Sequence, residues 1–195
     1  MNTKNPVSLF RNLPFHHLYT PAFLSADVCS QVYDFFEQTP KWHLPEGAAP
    51  GDGPILFLNG DLPGELAHLE SPETISTLKN WLSDEYDVQF DEKCEVIGNK
   101  MMVGQGIRPH NDFHEAAPSH RMVIFITRDW SWADGGELWL LNSTRDRIER
   151  SGHLEYPPVA GDAITFPISQ ESYHTVQTTK DGVRYSLTYS FYPPQ

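Results

Sequence analysis

The 195-residue chain carries 14 Lys and Arg against 26 Asp and Glu, a formal net charge of −12. No basic cluster able to track a phosphate backbone occurs in it, which argues against nucleic acid and anionic membrane as partners. The length suits one domain over 1–195 with a buried core, and 12% aromatic residues with 13 glycines and 16 prolines spread along the chain describe a turn-rich globular protein, not a disordered one.

Taken in order, residues 1–24 read as irregular. The N-terminal MNTKNPVSLFRNLPFHH has no apolar stretch of the secretory kind, the two cysteines (Cys29 and Cys94) lack CxxC spacing, and no apolar run reaches membrane-spanning length. A cytoplasmic protein with free thiols is expected. Ser25 caps a predicted helix through Gln38, with Val28, Val32, Phe35 and Phe36 on one stripe. PEGAAPGDGP at 45–54 is a loop by composition. Ser71-Pro72-Glu73, a cap followed by proline at the first helical position, opens a second helix to about Leu82.

From Tyr86 the texture changes to short β-rich runs: VQF, CEVIGNKMMV, HRMVIFITR, GELWLLN, DAITFPI, HTVQTT and RYSLTYSFY, separated by turn signals such as DGG, PP and KDG. Many short strands at close spacing predict a sandwich or barrel with the N-terminal helices on one outer face. Residues 1–85 are then helical support, and 86–195 the β core that carries the site. No internal repeat is present.

The stretch PHNDFH places His110, Asp112 and His114 at alternate positions. On a strand, i and i+2 share a face, so His110 and Asp112 can turn toward one metal ion if the backbone is extended. His114 shares that face, but a rise of about 3.3 Å per residue puts it some 13 Å from His110, too far for metal bonds of about 2 Å. The third ligand is expected elsewhere, and among downstream histidines only His174 has suggestive neighbours. It begins HTVQTT, and after Lys180-Asp181-Gly182 a second run carries Arg184-Tyr185-Ser186.

If KDG is a three-residue hairpin loop with Gly182 left-handed, Thr179 opposes Val183 and His174 opposes Thr188. His174, Val176, Arg184, Ser186, Thr188 and Ser190 then share a polar face, and Val183, Tyr185, Leu187, Tyr189 and Phe191 form an apolar face for the helices. A small dianion can bridge the polar face, one end chelating a metal held by His174 and the other meeting the Arg184 fork and the Ser186 hydroxyl.

With these residues assembled, the sequence resembles the 2-oxoglutarate and Fe(II)-dependent oxygenases, in their prolyl-hydroxylase-like branch, whose double-stranded β-helix carries an HxD…H…RxS pattern. The matching residues are His110-Asn111-Asp112, His174 after 61 intervening residues, and Arg184-Tyr185-Ser186 after nine more. MMVGQGIRPHND at 101–112 resembles the approach to the first ligand, and Gly135-Gly136-Glu137-Leu138 an internal GGEL turn. The likeness covers about residues 95–192. It departs from prolyl 4-hydroxylases at Met101, where they commonly place tyrosine, and at Arg184, where they use lysine.

The resemblance implies an α+β, jelly-roll or cupin-like barrel with His110, Asp112 and His174 on Fe(II) and with Arg184 and Ser186 on 2-oxoglutarate. It also implies O2 as co-reactant, release of succinate and CO2, and hydroxylation of an unactivated C–H bond, the expected substrate being an amino acid or a residue in a peptide. An aspartate at 112, where related halogenases have a small residue, points to hydroxylation. Arg108, His114 and His120 are candidate substrate contacts by their closeness to the first ligands. Arg121 reads as structural, Gly135-Gly136 as a hairpin turn without chemistry, and Trp130, Trp132 and Trp139 as packing. The rival readings are a metal-dependent β-barrel enzyme that needs no 2-oxoglutarate, and a non-catalytic sensor that binds metal and cosubstrate.

Overall fold

A computed structural model describes residues 8–44, 46, 55–58, 61–144 and 147–194, so the loop expected over 45–54 lies outside the described residues except for Glu46. The helices follow their caps. In α1 (Ala26–Gln38) the Ser25 hydroxyl accepts from the Val28 N–H, and Thr39 ends the helix in an extended conformation ahead of Pro40. In α2 (Pro72–Tyr86) the Ser71 hydroxyl accepts from the Thr74 N–H, and the helix runs past Leu82 until Asp87 turns left-handed. A 3-10 helix, Gly64–Glu70, precedes α2. No helix among the described residues is long and apolar enough to cross a membrane.

The N-terminal segment, expected to be irregular, supplies two short strands, β1 (Leu9–Arg11) and β2 (His17–Thr20). Three and four residues are too few for an alternating pattern to register in sequence. A further strand, β3 (Ile55–Phe57), precedes the β-rich half, where β4 (Cys94–Met102), β5 (Ile107–His110), β6 (His120–Phe125), β7 (Leu138–Thr144), β8 (Arg147–Tyr156), β9 (Ala163–Pro167), β10 (His174–Val176) and β11 (Val183–Phe191) follow. The VQF run at 88–90 forms no strand. Two antiparallel sheets result, a seven-stranded one ordered β1-β2-β9-β6-β11-β4-β3 and a four-stranded one ordered β5-β10-β7-β8. This is the α+β double-stranded β-helix with helices on one outer face.

The β10–β11 hairpin predicted from KDG does not form. β10 pairs with β5 and β7 in the small sheet, and β11 with β4 and β6 in the large one. Gly182 is left-handed as expected, at φ 65°, but the segment after β10 crosses between sheets. Within β11 the expected division of faces holds, because it depends on strand alternation alone. The single face expected to carry His174 beside Arg184 depended on the hairpin, and the two residues instead line one pocket from different sheets. Val183, Tyr185, Leu187, Tyr189 and Phe191 pack with Val32, Phe36, Leu78 and Leu82 of the helices. Arg184, Ser186 and Thr188 face the space between the sheets, beside a second core of Met101, Val123, Phe125, Leu138, Leu140 and Phe166.

Two phenols fasten β11 to the helical layer. Tyr185 donates to Glu37 Oε1 at 2.7 Å and Tyr189 to the Leu69 carbonyl at 2.7 Å. Burying each ring is worth roughly 1.5–3 kcal/mol, and the satisfied hydroxyl avoids the cost of an orphaned donor.

His120 lies on this helical side. It is 5% exposed and packs edge-on against Tyr86 and Phe90, with ring centroids 4.8 and 5.2 Å away. Burial, aided by the neighbouring His16, pushes its pKa down to about 4. An unfolded histidine titrates near 6.5, so between about pH 6.5 and 4 the unfolded chain binds the extra proton. The corresponding stability is intact above that window and lost as pH falls through it, by up to about 3 kcal/mol. Denaturant unfolding of the metal-free protein at pH 7 and 4.5 is expected to show His120→Phe losing about 2 kcal/mol less than wild type; equal losses would refute this role.

Candidate metal centre

His110 ends β5 directly opposite His174 of β10, and cross-strand partners bring their side chains together on one face. The ring centroids are 4.2 Å apart. Asp112 completes the group, but not by the continuous extended backbone expected. The strand stops at His110 and Asp112 adopts φ 57°, a left-handed conformation that aspartate tolerates better than most residues, though still at some energetic cost. One ligand atom from each of the three residues then lies within 4.8 Å of the others.

Both imidazoles are oriented by their backbone. Nδ1 of His110 lies 2.9 Å from the Arg108 carbonyl oxygen and Nδ1 of His174 lies 2.9 Å from that of Ser172. Donation there assigns the proton to Nδ1 and leaves the Nε2 lone pair facing the shared space. Burial, reinforced by His174 alongside, lowers the His110 pKa despite the nearby Asp112 carboxylate, which suits a neutral ligand.

Burial by itself would raise the Asp112 pKa, but His174 and then the Arg121 guanidinium outweigh it and hold the carboxyl well below the usual range. Its Oδ1 is 3.4 Å from His110 Nε2, and its Oδ2 is 3.5 Å from His174 Nε2 and 3.4 Å from Arg121 Nε. Oδ2 is nonetheless buried without a hydrogen-bond partner. Two inward lone pairs and an orphaned carboxylate oxygen match the donor set of a 2-His-1-carboxylate metal site. The residues fit a divalent ion such as Fe(II).

The far wall of the same pocket is formed by Arg184 and Ser186, with Asn99 and Thr188 between the two ends. Asn99 Nδ2 donates to Thr188 Oγ1 at 2.9 Å. Arg184 is 3% exposed, donates from Nε to the Gly136 carbonyl at 2.8 Å and contacts Ser186 Oγ through Nη1 at 3.3 Å. Burial pulls its pKa down to about 10, so it remains a cation near neutrality. No carboxylate among the described residues forms an ion pair with it. A buried, unpaired guanidinium is costly, and an anionic ligand offsets that cost.

The remaining candidates separate. Arg108 points to the outer face of the small sheet, into a groove with Trp139 and Thr175, while His114 is exposed in the loop after Asp112. His120 faces the helices; alternation along β6 turns Arg121 inward instead. The substrate roles expected for Arg108 and His120 therefore have no geometric support. Arg121, read as structural, lines the pocket beside Asp112, and β6 parity was the signal available for it. Gly135-Gly136 makes no hairpin: it leads into β7 and touches Arg184.

The sequence model of the 2OG-Fe(II) oxygenase superfamily matches residues 97–192. A search of curated protein sequences gives no match. Among solved structures, a prolyl-4-hydroxylase from Pseudomonas putida superposes with a TM-score of 0.74 at 19% identity, covering 91% of this chain and 92% of that one. A prolyl hydroxylase from Trichoplax adhaerens, in complex with a hypoxia inducible factor peptide fragment, gives 0.72 at 15%, covering 90% and 83%. The viral collagen prolyl hydroxylase of Paramecium Bursaria Chlorella virus-1, in a 2-oxoglutarate complex, gives 0.63 at 13%, covering 92% and 96%. At these identities the structures speak for the fold. Through residues 97–192, which include the triad, Arg184 and Ser186, the chain belongs to the 2OG-Fe(II) oxygenase superfamily, whose members use Fe(II), 2-oxoglutarate and O2.

Proposed function

We propose that this protein is a 2-oxoglutarate-dependent Fe(II) dioxygenase that hydroxylates an unactivated C–H bond of an amino acid or of a residue within a peptide, releasing succinate and CO2. The observation that carries this reading is the single pocket with an inward-facing His110, Asp112 and His174 at one end and an unpaired buried Arg184 with Ser186 at the other. A ligand that is both chelator and carboxylate suits both ends at once. The rival enzyme that needs no 2-oxoglutarate leaves the buried cation unexplained.

His110, Asp112 and His174 would hold the metal, and Arg184 with Ser186 would receive the distal carboxylate by charge-assisted hydrogen bonds. Iron and 2-oxoglutarate, when bound, would supply the oxidising power for hydroxylation. Met101, Val123, Leu138, Phe166 and Val176 line the walls; they exclude water and strengthen the electrostatic contacts inside. Arg121 holds the Asp112 carboxylate toward the histidines. The peptide complex of the Trichoplax adhaerens relative supports a residue in a peptide as substrate. Met101 and Arg184 differ from the tyrosine and lysine of the prolyl 4-hydroxylase pattern, so proline is not singled out.

Metal binding tests the triad without a substrate. Mn(II) at about 100 times its Kd should stabilise the apo protein by roughly 2.7 kcal/mol, a Tm increase of about 5–10 °C. Asp112→Gly, compatible with the left-handed backbone at that position, should fold, lose this shift and abolish hydroxylation; a retained shift or activity counts against the triad.

Anaerobic titration of the Fe(II)-loaded protein with 2-oxoglutarate should produce the weak visible absorption of the chelate. Arg184→Ala should weaken 2-oxoglutarate binding about 10- to 100-fold, the loss expected for charged hydrogen bonds of roughly 1.5–3 kcal/mol. Absence of the band in wild type would overturn the proposal. Turnover without 2-oxoglutarate would favour the rival enzyme, and a band with no succinate release from any candidate substrate would favour the sensor.

A further inference from the structure

Gly136 sits where the Arg184 side chain passes. It adopts φ 77°, and its carbonyl accepts the Arg184 Nε–H at 2.8 Å. A Cβ built on it would lie 2.9 Å from Arg184 Cδ and 3.6 Å from Arg184 Cβ. The arginine stem thus fills the volume that any side chain at 136 requires. Gly135, at φ 70°, is enclosed by backbone, since its Cβ would lie 2.2 Å from the Thr178 carbonyl oxygen. The Trp130 indole N–H donates to the Gly135 carbonyl at 2.8 Å.

The same turn grips the crossing segment between His174 and Arg184. Gly135 bridges to Thr179, the Lys180 N–H donates to the Asp134 carbonyl at 2.6 Å, and the Gln177 N–H donates to the Glu137 carbonyl at 2.9 Å. Residues 134–137 therefore clamp residues 177–180 after β10 has delivered the third triad residue and before β11 delivers the arginine. One turn sets the position of the cation and braces its connection to the triad.

We infer that Gly136 is a positioning residue for cosubstrate recognition: its carbonyl occupies the Nε edge of Arg184, and its missing side chain fixes where the guanidinium sits relative to the triad. With Nε held by Gly136 and Nη1 leaning on Ser186, the fork cannot turn freely, and its remaining N–H groups are presented to a carboxylate in one orientation. Such preorganisation lowers the cost of ordering the site on binding. The inference rests on the assignment of Arg184 to 2-oxoglutarate.

The test compares 2-oxoglutarate affinity, read from the anaerobic Fe(II) chelate absorption, with Mn(II) affinity in the same variants. Gly136→Ala displaces the flexible arginine stem more readily than the backbone. It should weaken 2-oxoglutarate binding about tenfold or more, as small misplacements of binding groups do, and raise the KM for 2-oxoglutarate with kcat at saturation and Mn(II) affinity retained. Gly182→Ala carries a similar positive-φ cost, φ 65°, with nothing within 4 Å of its Cβ, and should leave both affinities unchanged. In the Arg184→Ala background Gly136→Ala should add nothing. Arg184→Lys, which leaves the glycine in place and keeps the charge but lacks an Nε–H, should show a comparable loss even if Gly136→Ala does not fold. Wild-type 2-oxoglutarate affinity in Gly136→Ala or in Arg184→Lys, or a full further loss in the Arg184→Ala background, overturns the inference. Failure of the wild-type protein to bind 2-oxoglutarate refutes instead the assignment beneath it.

Discussion

The pairing of β10 with β5 is the constraint on which the site depends. That pairing sets His174 opposite His110, and directly opposed residues on one face of an antiparallel pair approach closely enough to share an ion. Everything else serves to bring the short β10 to that place. β7 flanks it on the other side, with Leu140 opposite His174, so the histidine sits in the interior of a small sheet and not on a frayed edge. Asp112 then needs to travel only two residues beyond β5, and its left-handed backbone supplies the turn that a straight strand lacks.

The pocket is electrostatically polarised before any ligand enters. One end presents a buried carboxylate oxygen without a hydrogen bond, and the other a buried guanidinium without a carboxylate. Paired with each other across a short distance, these groups would make an ordinary internal salt bridge. Held apart by the sheet framework, Arg184 retains the desolvation cost of a buried charge. The Asp112 carboxylate is instead stabilised by His174 and Arg121 and keeps one oxygen without a hydrogen bond, so a cation suits one end and an anion the other. The intervening Asn99–Thr188 pair and the apolar wall keep the space specific without neutralising either end.

The helical layer holds the polar strand still. β11 alternates between a face of aromatic and aliphatic residues packed on α1 and α2 and a face of Arg184, Ser186 and Thr188 directed into the pocket. Tyr185 and Tyr189 anchor the strand to Glu37 and to the 3-10 helix. Arg184 and Ser186 are therefore held in place by the Tyr185 between them, one of the largest fully buried side chains among the described residues.

Strand alternation was readable from the sequence because it depends only on the pleat of the backbone. The two faces of β11 and the core stripe of α1 with its Ser25 cap followed from local geometry, whereas the strand rise used to exclude His114 had no strand to act on, since β5 ends at His110. The residue types of His110, Asp112, His174 and Arg184 likewise admit few combinations of roles. Non-local pairing was decided elsewhere. Nothing in HTVQTTKDGVRYSLTYSF distinguishes a hairpin from a crossing between sheets, since the partner strands lie far away in sequence and compete through packing. The short β1 and β2, the inward face of Arg121, the burial of His120 against Tyr86 and Phe90, and the contact of Gly136 with Arg184 likewise depend on neighbours that only the folded chain assembles. Periodicity tells which way a side chain points; the tertiary structure determines what it meets.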